Sequence, residues 1–209
     1  MKLNTLIEKY PDLSFCEEEI KESFRIMKKS IAAGGKLLFC GNGGSASDCE
    51  HIVGELMKGF TKKRPVPPDF ADKLSMECGE YGEQLAAKLQ EALPAISLVS
   101  HTSLITAIAN DTSGDMIFAQ QIYGLGRPED VVVGLSTSGN SANIIYALHT
   151  AKTADMKTIG FTGEAGGRMK ELCDVTIRVP WTDTLDVQER HLPIYHALCL
   201  QLEKEFFSV

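Results

Sequence analysis

No stretch of this chain approaches roughly 18 consecutive apolar residues, so no membrane-spanning helix is expected. The opening segment, MKLNTLIEKYPDLSFCEEEIK, has neither a long apolar core nor a small-residue cleavage site, and is not read as a signal peptide. None of the six cysteines forms a CxxC pair, and a chain of 209 residues does not need stapling; reduced thiols of a cytoplasmic protein are the expectation. Basic residues are in deficit, 21 against 28 acidic, and the resulting net charge of −7 argues against a broad nucleic-acid footprint or direct nucleic-acid contact. It does not exclude a phosphorylated small molecule, which oriented backbone dipoles can hold in an acidic protein. No GK[ST] follows the glycine-rich stretch, so there is no Walker loop. Position 46 is alanine, so the GxG of Gly41 and Gly43 is not completed to a dinucleotide fingerprint. There is no internal repeat beyond two paired loops, and no low-complexity tract.

What is present suits one globular domain: 44% hydrophobic and 23% charged residues. Ser14 followed by Glu17 suggests a capping box for a helix running to about Ala33, with Ile20, Phe24, Ile26, Met27 and Ile31 as its apolar stripe. Five short apolar runs follow: Lys36–Cys40, Ala95–Val99, Val131–Leu135, Thr158–Phe161 and Val175–Val179. Between them lie segments of helical spacing near 46–60, 102–109, 115–124, 142–153 and 167–172, and a long helix near 185–207 closes the chain. Strands alternating with helices imply a parallel sheet covered on both faces. The expected fold is therefore α/β: a three-layer α/β/α sandwich of about five parallel strands, with an N-terminal helical extension over about 1–34. Residues 61–94 break the rhythm and are read as an insertion, with an amphipathic helix near 80–92, covering the site or an oligomer contact.

Two of the strand ends carry glycine and hydroxyl residues. CGNGGSAS (residues 40–47) supplies Asn42, Gly43, Gly44 and Ser45; LSTSGNSAN (135–143) supplies Ser136, Thr137, Ser138 and Ser141. A strand–loop–helix turn leaves the first helical N–H groups pointing at the loop, glycine lets backbone approach an anion, and hydroxyls add donors without charge. Such loops suit a phosphomonoester or sugar hydroxyls; taken singly they also suit plain turns and caps. His51 and Glu55, four apart on the helix after the first loop, share a face, as an exposed pair, a zinc-binding pair or an acid/base pair would. Gln188 and His196, eight apart in the last helix, share a face if that helix is regular. Asn110–Asp111 reads locally as a capping pair, and His191, off the His196 face, as structural.

The segments FCGNGGSASDCEHIVGEL, AIANDTSGDMIFAQQI, DVVVGLSTSGNSANIIYAL, TIGFTGEAGG and VQERHLPIYHALCLQLEKE occur in the order found in the sugar-isomerase (SIS) domain family, which the chain resembles across roughly residues 15–205 outside the insertion. Its HxxxE and Q-x7-H patterns resemble the phosphoheptose isomerases within it. The resemblance implies a SIS fold of the flavodoxin-like or Rossmann-like kind. It implies an aldose–ketose isomerase that takes sedoheptulose 7-phosphate to D-glycero-D-manno-heptose 7-phosphate through an enediolate.

By the same resemblance His51, Glu55, Gln188 and His196 would hold a divalent ion, typically zinc. Glu55 would be the catalytic base and His196 the second acid/base. Asn42, Gly43, Gly44, Ser45, Asn110, Asp111, Ser136, Thr137, Ser138, Ser141 and Gln188 would contact the sugar phosphate. A homotetramer with shared active sites is implied as well. Where the family carries an arginine, position 59 is glycine; Lys58 and Arg64 are the cations nearby. The rival reading is a non-catalytic SIS-domain protein that binds a sugar phosphate or the replication initiator.

Overall fold

The structure is a computed structural model, and it describes residues 3–207; the first two residues of the expected N-terminal extension lie outside that range. The chain opens with α1 (Leu3–Lys9), a 3-10 turn over Pro11–Cys16, and α2 (Glu17–Ala32). Strand β1 (Leu37–Gly41) leads into α3 (Gly44–Leu56), followed by α4 (Pro68–Cys78), α5 (Glu80–Lys88), β2 (Ala95–Ser97), α6 (Thr102–Asp111) and α7 (Ala119–Leu125). The second half runs β3 (Val131–Leu135), α8 (Ala142–Thr153), β4 (Lys157–Thr162), α9 (Met169–Leu172), β5 (Val175–Arg178) and α10 (Thr184–Phe206). The five strands form one parallel sheet in the order β2-β1-β3-β4-β5.

Successive strand residues point to opposite faces, and both faces are buried. Leu37 and Phe39 of β1 join the core made with α2, α3 and α10, while Leu38 and Cys40 join the core under α7, α8 and α9. That is why the strands read as unbroken apolar runs rather than as alternating patterns. The chain moves from β1 outward to β2, then returns to the other side of β1 for β3. The reversal opens a crevice beyond the carboxyl ends of β1 and β3, where ligands of open α/β sheets sit.

Two local expectations are corrected. Ser14 does not cap α2: its hydroxyl donates to Pro11 O at 2.7 Å inside the 3-10 turn, and α2 starts at Glu17 with no side-chain cap. Residues 61–94 hold two helices rather than one. Gly79, at φ +54°, reverses the chain between α4 and α5, and Gly82 packs so closely on α4 that a Cβ there would lie 1.9 Å from Leu74 O. All six cysteines are free. No helix among the described residues is long and apolar enough to cross a membrane.

Candidate active site

The β1 and β3 loops emerge side by side, because Gly41 pairs with Leu135 in register. Gly43 caps α3 at φ 56°, ψ −122°, a conformation that needs glycine. Ser45 is buried in the first turn of α3; Asn42, Gly43 and Gly44 are exposed. The second loop is braced from behind. Ser136 N donates to Phe161 O (3.0 Å), Gly163 N to Thr137 O (2.9 Å) and Arg168 N to Asn140 Oδ1 (3.0 Å). Gly139, at φ +67°, lies so close to Gly166 that a Cβ would stand 2.1 Å from its carbonyl oxygen. Ser136 and Ser141 share a hydroxyl–hydroxyl bond of 3.0 Å, and Ser138 stands exposed at the tip. A reciprocal amide pair, Asn42 with Asn143, ties the two loops together at 2.9 Å in each direction.

Helix α10 runs alongside α3 in the same sense, and this parallel packing assembles the chemistry. Gln188 lies over Gly44, its amide atoms 2.8 Å from where a Cβ on that glycine would be. Farther on, Tyr195 meets Asp48 and His51, and His196 meets His51. His51 Nε2 is 3.4 Å from Glu55 Oε1 and 3.5 Å from His196 Nε2. The rings of His51 and His196 meet edge to face at 5.0 Å, and Phe60 walls His196 at 5.5 Å. Burial, and secondarily His51 beside it, push the His196 pKa below its usual 6.5, while Glu55 pulls the other way.

The sequence-derived residues thus fall into two groups. His51 meets both Glu55 and His196, and α10 continues through Pro193 without losing the face that carries His196. Gln188 sits two turns earlier, at the loop end of α3, and is not among the contacts that join the other three. Asn110 and Asp111 stand exposed at the end of α6, the Asn110 amide donating to Asp111 Oδ1 at 2.8 Å. Cavities of about 780 Å³ beside α6 and α7, and about 560 Å³ at the opposite end of the sheet, are lined by other residues.

Two imidazole nitrogens and a carboxylate oxygen are donors that zinc accepts. Separations of 3.4 and 3.5 Å match the edge of about 3.3 Å that ligands make around a tetrahedral ion. The donor set fits the metal in type and in these two separations. Among the described residues, however, no three His, Cys, Asp or Glu side chains stand together closely enough to hold a metal ion: His51 is within reach of Glu55 and of His196, and the match is limited to those two separations.

Several residues that complete the site escaped the sequence reading. Tyr195 and Asp48 carried no motif that singled them out. Arg64 is not a free cation for a ligand. It is buried, pairs with Glu203 (Nη2–Oε1 2.8 Å), and donates to Leu56 O at 2.8 Å and Glu55 O at 3.4 Å, so it caps the end of α3 that carries Glu55. Lys58 keeps its ammonium in reach, 3.6 Å from Glu55 Oε2. His191 is structural as expected: it is fully buried, edge-on to Phe161, and its pKa is pushed down to about 4 by burial.

The SIS domain family matches residues 13–82 and 78–163 of the chain. A phosphoheptose isomerase of Rhodospirillum rubrum is 40% identical over 94% of the chain and 90% of its own length. One of Maridesulfovibrio salexigens is 37% identical over 98% of the chain and 93% of its own. Among solved structures, phosphoheptose isomerase GmhA from Neisseria gonorrhoeae superposes with a TM-score of 0.75 at 33% identity, covering 96% of the chain and 94% of that structure's chain.

Proposed function

We propose, for a chain that belongs to the SIS domain family and groups with its phosphoheptose isomerases, that the crevice between β1 and β3 isomerises sedoheptulose 7-phosphate to D-glycero-D-manno-heptose 7-phosphate. The observation that carries this reading is the meeting of Glu55, His51 and His196 on α3 and α10, next to two loops rich in glycine and hydroxyls.

The phosphate rests against Ser45, Ser136, Thr137, Ser138 and Ser141, where hydroxyls and the N-termini of α3 and α8 favour an anion. Asn42, Gly43 and Gly44 line the path from phosphate to sugar, and Asn110, Asp111 and Gln188 contact its hydroxyls. Glu55 takes the proton from C1; the electron pair forms the C1–C2 double bond, and charge moves onto the C2 oxygen. His196 moves the proton between the O1 and O2 oxygens, and return of a proton to C2 completes the aldose. His51 Nε2, His196 Nε2 and a Glu55 oxygen are the groups that would hold a zinc ion, which when bound would polarise the substrate oxygens, while Gln188, expected as a fourth ligand, lies two turns away over Gly44 and would serve the sugar.

A homotetramer and a cytoplasmic location belong to the same reading. The oligomer is supported by large apolar side chains left open to solvent, among them Met76 (87%), Tyr81 (77%) and Tyr123 (79%).

The test is product analysis by NMR after incubation with sedoheptulose 7-phosphate, beside a panel of five- and six-carbon ketose phosphates, before and after chelator and with zinc restored. The reading expects the seven-carbon substrate to be turned over fastest, with loss on chelation and recovery with zinc. Binding without turnover under any metal would move the site to a sugar-phosphate-binding role.

A further inference from the structure

Tyr195 lies at a junction of α3 and α10 where its hydroxyl meets two polar side chains of α3 behind the reacting groups. Its ring is 2% exposed and packs in the main core, yet its hydroxyl is not wasted. It stands 3.1 Å from Asp48 Oδ1 and 3.1 Å from His51 Nδ1. A phenol has one proton to give, and a carboxylate can only accept. The Tyr195 proton therefore goes to Asp48, and the phenol oxygen, its lone pairs free, accepts from His51 Nδ1–H.

A neutral imidazole with its proton on Nδ1 has its lone pair on Nε2. That is the nitrogen 3.4 Å from Glu55 and 3.5 Å from His196. We infer that Tyr195, oriented by Asp48, is a positioning residue that fixes the tautomer and the ring plane of His51 and so presents its Nε2 lone pair to the site. The inference rests on the reading of His51 as a ligand or acid/base group given above. The two helices supply the geometry: Asp48 and His51 are one turn apart on α3, and Tyr195 precedes His196 on α10, so one packing contact sets both imidazoles.

Partners behind a metal-binding histidine typically matter by about 10- to 100-fold in metal affinity or activity. Tyr195→Phe removes the hydroxyl and keeps the ring. Two measurements test the inference. In metal-free protein with nitrogen-15 histidine, two-bond proton–nitrogen NMR should show His51 with Nδ1 protonated in the parent and a shift toward the Nε2-protonated form in Tyr195→Phe. Zinc competition with a chelating dye should show affinity falling about 10- to 100-fold in the same variant. Asp48→Asn, whose amide can donate to the phenol, should lose the same tautomer preference.

Failures of the two readings are separable. A parent that binds no zinc but shows the tautomer, and loses it in Tyr195→Phe, upholds the role of Tyr195 and removes the metal. A parent that binds zinc, with Tyr195→Phe equal to it in affinity and in tautomer, overturns the inference, even if the variant is less stable. A parent His51 protonated on Nε2 overturns it outright.

Discussion

Replacing Glu203 with glutamine strikes the clamp that seats the end of α3 on α10. Glu203 is 1% exposed. Its Oε1 receives Phe60 N (2.7 Å) and Arg64 Nε (2.9 Å), and its Oε2 receives Thr61 N (2.9 Å) and Thr61 Oγ1 (2.6 Å). Burial alone would raise its pKa, but the bonds from Thr61, Phe60 and Arg64 outweigh that and bring it from 4.5 to about 2. Such a difference between folded and unfolded chain corresponds to about 3 kcal/mol of stability at neutral pH. Independently, removing one partner of a buried ion pair costs about 3–5 kcal/mol. Glutamine cannot accept at both positions, so one of its amide N–H groups faces donors whichever way it turns. We expect Glu203→Gln to lose about 3 kcal/mol in denaturant unfolding at pH 7 and fixed protein concentration, or roughly 6–12 °C in Tm for a chain of this size. The sign with pH follows from the depressed folded pKa. The contribution is full above the unfolded value of 4.5 and is lost as pH falls from there toward about 2. The parent should lose this increment across that window and the variant should not. Two results would refute the reasoning: unfolding free energies within about 0.5 kcal/mol of each other, the scatter of ordinary surface changes, or parallel acid profiles.

Gly44→Ala should leave stability within about 1 kcal/mol, since the nearest atoms to its Cβ are the flexible end of Gln188 at 2.8 Å, but it should raise KM or lower kcat by displacing that amide; steady-state kinetics beside a melting curve separates the two effects. His196 is held below 6.5, first by burial and then by His51, so it stays neutral at pH 7. Activity is accordingly expected to hold level down to that value and to fall only below it; a pH–rate profile with an acid limb centred above 6.5 would contradict this.

The sheet was legible in the sequence because parallel strands buried on both faces are written as plain apolar runs. Val131–Leu135 and the helix over 142–153 are where their periodicity puts them. The paired loops were legible because two glycine and hydroxyl clusters stand at the ends of two apolar runs, where either one alone would also have suited a plain turn or cap. His51 with Glu55 was legible as a local i, i+4 pair. What stayed hidden depends on α3 meeting α10. Tyr195 and Asp48 are 147 positions apart, and Arg64 and Glu203 are 139 apart, so no local pattern joins them. Arg64, named from the sequence only as a cation near position 59, proves to be a buried helix cap for the same reason. The insertion was legible as an interruption but not as two helices, because α4 buries none of its side chains in the main core and packs chiefly on α5, a pairing that no local pattern announces.

The measurement closest to the central claim is turnover of sedoheptulose 7-phosphate by Glu55→Gln beside the parent, with binding of the sugar phosphate followed by calorimetry in both. Removing the proton acceptor at C1 should cut kcat by at least about 10²- to 10⁴-fold while binding stays measurable. A variant within tenfold of the parent would contradict the account and take Glu55 out of the reaction.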